Sequence, residues 1–171
     1  MNIIFVGYRG TGKTAIGRTL ADRLDYEFVD TDDEIVREAG MPVPEIFSRL
    51  GEAKFREIEA GVLVRVSSVG NTVISTGGGM VLKPENRAVV RNSGFCVYLT
   101  AGPNVIFERI HLDSNRPSLT GKDPMTEIVE LMDKRRAFYE EVAMMTIDTG
   151  KNSINECVRQ IMMKIEKKAG V

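Results

Sequence analysis

Gly7, Gly12, Lys13 and Thr14 occupy every fixed position of the phosphate-binding pattern G-x-x-x-x-G-K-[ST], and Gly10 adds a third glycine between them. Each residue type answers a separate chemical need. Glycine lets backbone N–H groups turn inward and approach phosphate oxygens closely. A helix beginning just after the loop points its positive end at the same anion. The Lys13 ammonium suits the β- and γ-phosphates of a nucleotide, and the Thr14 hydroxyl suits Mg²⁺. A glycine-rich turn ahead of a chance lysine is the competing reading, and the flanking sequence opposes it. Residues 2–6 are apolar and β-branched, as a buried parallel strand is, and Ile16, Leu20 and Leu24 keep the spacing of one helix face. Strand, loop and helix together are the context the motif requires.

Further charged residues stand where strands end. A short strand over 26–29 runs into Asp30-Thr31-Asp32-Asp33, and carboxyl ends of strands in an open α/β sheet face the ligand crevice. These acids can meet Mg²⁺ or a substrate hydroxyl; Thr31 or Asp32 can equally cap a helix from Asp33 to about Ala39. A buried strand over 72–75 runs into Gly77-Gly78-Gly79, which suits backbone lying against a ligand, with a tight turn as the alternative. Arg56 and Glu59 share one face of a helix from Gly51 to about Ser67, and a surface ion pair is the simpler reading of them. Arg135 and Tyr139 share a face of a helix from Pro124 to about Ala143. The polar, aperiodic stretch 112–123 contains Arg116 and has the composition of a lid or of an exposed connection.

The elements that must position these groups follow from the rest of the chain. Strands are expected over 95–99 and 144–148, and helices over 45–50, 84–91 and 103–110. Ser153 is expected to cap a final helix with Ile154, Val158, Ile161 and Ile165 on one side. Strands alternating with helices define an α/β domain with a mainly parallel sheet. At 171 residues, 43% of them hydrophobic, one domain with a sizeable core is expected. A net charge of −1 supplies no basic field for nucleic acid. No apolar run approaches a membrane span, and the chain enters its first strand at once, so we expect no signal peptide and a cytoplasmic location. Cys96 and Cys157 read as two reduced, buried thiols, and His111 as a residue at a helix end, so no Cys/His metal cluster is expected.

Among users of such a loop, a GTPase would carry an Asn-Lys-x-Asp base-reading motif, which is missing, and a motor ATPase would need more chain. A small kinase fits the length and the candidate lid. The chain resembles the shikimate kinase family over nearly its whole length. The resemblance is carried by the loop Gly7–Thr14, by Asp30-Thr31-Asp32, and by the segment from Gly51 through Phe55 and Arg56 to Glu59. It is carried further by Gly77-Gly78-Gly79, Arg116-Pro117, and Arg135 with Tyr139.

The resemblance implies a five-stranded parallel sheet of the nucleoside-monophosphate-kinase type. It implies ATP-dependent phosphorylation of the 3-hydroxyl of shikimate, with Mg²⁺, by a monomer; the charge and the absence of a long apolar run add the expectation of no nucleic-acid or membrane partner. It assigns ATP to Gly7, Gly10, Thr11, Gly12, Lys13, Thr14, Ala15, Arg109 and Arg116, with Arg109 against the adenine. It assigns the metal to Thr14 directly and to Asp30 indirectly. Shikimate falls to Asp32, which also accepts the proton, to Arg56 and Arg135 on the carboxylate, and to Gly77, Gly78, Gly79, Phe47 and Phe55 around the ring. Lys13, Asp32 and Arg116 are the expected catalytic groups, with a substrate segment at about 31–60 and a lid at about 112–123.

Overall fold

A computed structural model describes residues 1–111 and 120–169 of the chain. Strands and helices alternate as β1 (Asn2–Val6), α1 (Lys13–Leu24), β2 (Glu27–Asp30), α2 (Thr31–Ala39), α3 (Val43–Ser67) and β3 (Thr72–Ser75). They continue as α4 (Pro84–Ser93), β4 (Gly94–Thr100), α5 (Pro103–His111), α6 (Pro124–Val142), β5 (Met145–Asp148) and α7 (Ile154–Ala169). A 3₁₀ turn, Met80–Leu82, precedes α4. The strands form one sheet in the order β2-β3-β1-β4-β5, every pair parallel.

The central strand β1 is buried along its whole length, which is why it reads as an unbroken apolar run. Its side chains alternate between two cores. Ile3 and Phe5 join α1 and α7 through Ile16, Leu20, Val158 and Ile161. Ile4 and Val6 join α3, α4 and α6 through Val62, Leu63, Val90 and Tyr139. The chain leaves β1 toward the β2 edge, whereas it leaves β3 and β4 toward the β5 edge. The crevice beside β1 is therefore a topological switch point, the place where open α/β sheets take ligands.

Local chemistry sets the element boundaries. Gly12, at φ 90°, turns the chain into α1, so that helix starts at Lys13. Asp30, neither Thr31 nor Asp32, caps α2 by accepting from the Asp32 N–H at 3.0 Å. Thr31 is buried, and its hydroxyl instead accepts from the Gly77 N–H at 3.0 Å. Gly51, at φ 80° and ψ 167°, interrupts α3 between its two helical pieces, as the sequence pattern expects. Ser153 accepts from the Glu156 N–H and caps α7. Ile154 is exposed, contrary to the expected stripe, and Cys157 fills the core in that turn. Both cysteines are free and buried, and burial pushes the Cys96 thiol up to about 12. No described helix is long and apolar enough to cross a membrane.

Candidate active site

The phosphate loop follows β1 at the switch point. Gly7, Gly10 and Gly12 have φ of 146°, 81° and 90°, conformations that side-chain-bearing residues rarely adopt. A Cβ at Gly7 would also lie 2.2 Å from the Leu99 carbonyl oxygen of β4, so only glycine lets the loop leave the sheet there. The Thr11 hydroxyl donates to the Tyr8 carbonyl at 2.7 Å. Lys13 is buried, and its ammonium donates to the Gly7 and Tyr8 carbonyls at 2.8 and 2.9 Å. The cation thus lies across the loop whose amides would receive phosphate. Thr14 and Ala15 are exposed at the first turn of α1.

The Thr14 hydroxyl donates to Asp30 Oδ2 at 3.1 Å, which brings two hard oxygen donors together beside the loop. That donor set fits Mg²⁺, which keeps most of its shell as water and phosphate oxygen and needs few protein ligands. Among the described residues no group of three or more His, Cys, Asp or Glu side chains forms an all-protein metal cage. Arg109 reaches back from α5 to the loop. Its guanidinium donates to the Gly10 carbonyl at 3.1 Å and to the Thr149 hydroxyl and carbonyl at 2.9 and 2.8 Å. Thr149, which sequence reasoning passed over, also donates to the Thr11 carbonyl, so it ties the turn after β5 to the phosphate loop.

A second group of side chains gathers across the crevice, at the ends of β2 and β3. Asp32 is exposed as a residue, yet protein crowds its carboxyl. That crowding, then the neighbouring Asp30 carboxylate, push its carboxyl up to about 6, while Lys13 pulls the other way. The triple glycine is explained by these side chains. None of the three has positive φ, so conformational freedom is not the reason for them. A Cβ at Gly77 would lie 2.7 Å from Asp32 Oδ1, and one at Gly79 would lie 2.7 Å from the nearer Arg56 terminal nitrogen. The glycines make room for Asp32 and Arg56 within the crevice. At Gly78 a Cβ would come 3.5 Å from an Arg135 nitrogen, and the Gly78 carbonyl accepts from the Tyr139 hydroxyl at 2.6 Å.

The reading of Arg56 and Glu59 as a surface ion pair is overturned. Glu59 is 1% exposed and takes a 2.7 Å hydrogen bond from Arg56. Burial raises the Glu59 carboxyl, and Arg56, Lys83 and Arg135 oppose that shift. One buried carboxylate therefore stands among three cations, and it aims Arg56 at the crevice. Phe55 is buried beneath Arg56, and the exposed Phe47 ring lies 4.5 Å from it. Asp32, Gly77–Gly79, Arg56, Arg135 and the two phenylalanines thus form one wall, facing the phosphate loop. Arg116 lies outside the described residues, as does most of the expected lid. Sequence reasoning also missed Arg9 and Glu127, which join at 2.8 Å between the loop and α6.

A parallel sheet in this strand order, with a phosphate loop on its central strand and a carboxylate and two arginines opposite, defines a phosphate-loop kinase of a small molecule. Comparison with known proteins makes this specific. The family model "Shikimate kinase" matches residues 9–166. A shikimate kinase of Symbiobacterium thermophilum is 42% identical over 170 residues, covering 98% of this chain and 98% of that one. One of Burkholderia pseudomallei is 42% identical over 166 residues, covering 97% of this chain and 90% of its own. The structure of a shikimate kinase from Acinetobacter baumannii in complex with shikimate superposes with a TM-score of 0.92 at 36% identity, covering 98% and 93% of the two chains. The chain belongs to the shikimate kinase family. Membership makes it an ATP-dependent kinase.

Proposed function

We propose that the chain transfers the γ-phosphate of ATP to the 3-hydroxyl of shikimate, giving shikimate 3-phosphate for chorismate and aromatic amino-acid biosynthesis. The observation that carries the reading is the wall opposite the phosphate loop, where one crowded carboxylate and two arginines share a crevice through Gly77, Gly78 and Gly79. Paired arginines match a carboxylate-bearing acceptor, and a carboxylate of raised pKa matches a hydroxyl that must lose a proton.

In this reading the amides of Gly10, Gly12 and Lys13 and the start of α1 hold the β- and γ-phosphates, and the Lys13 ammonium turns from the loop carbonyls to the phosphate oxygens. Arg109 lines the nucleotide side. Thr14 directly, and Asp30 through water, would hold Mg²⁺, which when bound neutralises charge on the phosphates. Arg56 and Arg135 hold the acceptor carboxylate, and Phe47 and Phe55 wall its ring. Asp32 orients the 3-hydroxyl and accepts its proton as the acceptor oxygen bonds to the γ-phosphorus and the bridging oxygen leaves with ADP. Arg116 closes over the transferring group. The same reading has one kinase domain over 1–171, its substrate segment at about 31–60, working as a cytoplasmic monomer without nucleic-acid or membrane partners.

The test is coupled ADP release from Mg·ATP with shikimate, and then with gluconate, as the only acceptor. Turnover with shikimate alone is expected. Turnover with gluconate alone would keep the kinase and overturn the acceptor, and silence with both would overturn the reaction.

A further inference from the structure

The phosphate loop is anchored from outside by residues that no phosphate contact explains. Between its first two glycines stand Tyr8 and Arg9, and both dock on the first turns of α6. Tyr8 is 1% exposed and shares a cluster with Ile106 of α5 and with Ile128 and Met132 of α6. Arg9 donates to Glu127 Oε1 at 2.8 Å. Glu127 is itself 1% exposed, and its other oxygen accepts from the Thr120 N–H at 2.6 Å and the Thr120 hydroxyl at 2.7 Å. Thr120 lies on the approach to α6, three residues ahead of the Asp123 cap. A buried carboxylate is therefore shared between the phosphate loop and the entry to α6.

We propose that Glu127 is a positioning residue that makes Arg9 and Thr120 one mechanical unit, fixing the phosphate loop against the start of α6 for nucleotide binding. The proposal rests on the reading that ATP binds at this loop. Several features suit the role. Glu127 sits in the first turn of α6, where the helix dipole favours a negative charge and offsets part of its desolvation. Its two oxygens serve partners 111 positions apart in the chain. Only a carboxylate satisfies both. A glutamine would turn its amide N–H₂ toward either Arg9 or the Thr120 N–H, and either choice sets donor against donor.

The experiment measures kcat, KM for ATP and KM for shikimate in the wild type and in R9Q, T120A, E127Q and their combinations. The isosteric E127Q is expected to raise KM for ATP by roughly tenfold while KM for shikimate stays within about twofold. R9Q and T120A each raise KM for ATP in the wild-type background, but in the E127Q background at least one of them adds less than about twofold, because the amide cannot accept from both partners. Should E127Q fold poorly, the double variant R9Q/T120A carries the test at more exposed positions, and its effect is expected to fall well short of the product of the two singles. Independent, multiplicative effects of R9Q and T120A would overturn the proposal, as would an E127Q enzyme with unchanged KM for ATP. An effect confined to thermal stability, with all three kinetic constants unchanged, would reduce Glu127 to a structural link and also overturn it. Wild-type enzyme that fails to turn over shikimate with ATP would instead sink the proposed function, so the two failures are distinguishable.

Discussion

Replacing Gly79 with alanine tests the acceptor wall at a residue that itself carries no side chain. Gly79 has φ −91° and ψ −5°, a negative-φ conformation open to alanine, so the backbone resists little. The new Cβ would lie 2.7 and 2.8 Å from the two terminal nitrogens of Arg56 and 3.1 Å from its central carbon. Ordinary contact begins at 3.4 Å, so the guanidinium must retreat by about 0.7 Å. It is the end of a long flexible side chain, and moving it costs little stability. The loss of unfolded-state freedom on replacing glycine adds about 0.4–1 kcal/mol the other way. The melting temperature is thus expected to change by no more than a few degrees.

The functional cost is larger than the structural one. The Arg56 nitrogen that must move also makes the 2.7 Å bond to buried Glu59, so a shift either bends that bond or swings the fork away from the acceptor. A charge-assisted bond contributes about 1.5–3 kcal/mol, and misplacing a clamp by about 1 Å can cost about a hundredfold in rate. We expect kcat/KM for shikimate to fall by about 10- to 100-fold, equivalent to about 1.4–2.7 kcal/mol, with KM for ATP within about twofold. The assay is coupled ADP release with each substrate varied in turn, alongside a thermal melt. A kcat/KM for shikimate within about threefold of wild type, in a protein of normal stability, would refute the placement of Arg56 on the acceptor.

Other outcomes follow from the same geometry. Asp32→Asn should lower turnover by at least about a hundredfold while leaving the Kd for ATP, measured by calorimetry, nearly unchanged; survival of turnover within about tenfold removes the proton-accepting role. The wild-type kcat/KM for shikimate should fall as pH drops through about 6, because protonated Asp32 cannot accept a proton; a profile flat down to pH 5 removes that role as well. The sign for stability is opposite: a carboxyl raised in the folded chain binds its proton more tightly there, so Asp32 favours folding as pH falls toward its unfolded value, and the acid loss of activity should be reversible. Tyr139→Phe removes the 2.6 Å donor to the Gly78 carbonyl and should cost about 1–3 kcal/mol, read as a melting temperature lower by several degrees; an unchanged melt would show that water replaces the hydroxyl.

The parts of this molecule legible in its sequence are those whose signal is local. The phosphate loop announces itself because three positive-φ glycines, a lysine and a threonine stand within eight residues, between a strand and a helix. The parallel sheet was readable from β1, β3 and β4, whose burial on both faces leaves short apolar runs. The cap of α2 was misplaced because four candidate residues adjoin one another. Only the distant Gly77 N–H, which claims the Thr31 hydroxyl, decides among them. Glu59 looked like half of a surface pair because i,i+3 spacing says nothing about what covers a helix face. Its burial, and the charges of Arg56, Lys83 and Arg135 that act on it from three separate segments, exist only in the folded chain. The sequence shows the triple glycine as backbone suited to a ligand, and it hides the side chains of Asp32 and Arg56, which take the space a Cβ would fill at Gly77 and Gly79.

The residues that sequence reasoning missed or half-read converge on one element. Along α6 stand Glu127 on Arg9 and Thr120, Ile128 and Met132 in the Tyr8 cluster, Arg135 beside Gly78, and Tyr139 on the Gly78 carbonyl. Glu127, Arg135 and Tyr139 stand eight and four residues apart, with Leu131, packed against the Tyr8 cluster, between them, so these groups follow one slowly winding stripe, an i, i+4 row of the helix. At 1.5 Å per residue, the stripe runs for about 18 Å. Its start holds the phosphate loop, and its end holds Gly78 and Arg135, where we propose the acceptor binds. A phosphoryl transfer that depends on in-line placement of donor and acceptor needs the distance between those two sites to be fixed, and a single continuous helix fixes it more stiffly than the loops on either side. The sequence displays Arg135 and Tyr139 as a pair on that stripe. It hides Glu127, because a glutamate in a helix's first turn looks like an ordinary favourable charge until its two partners are seen.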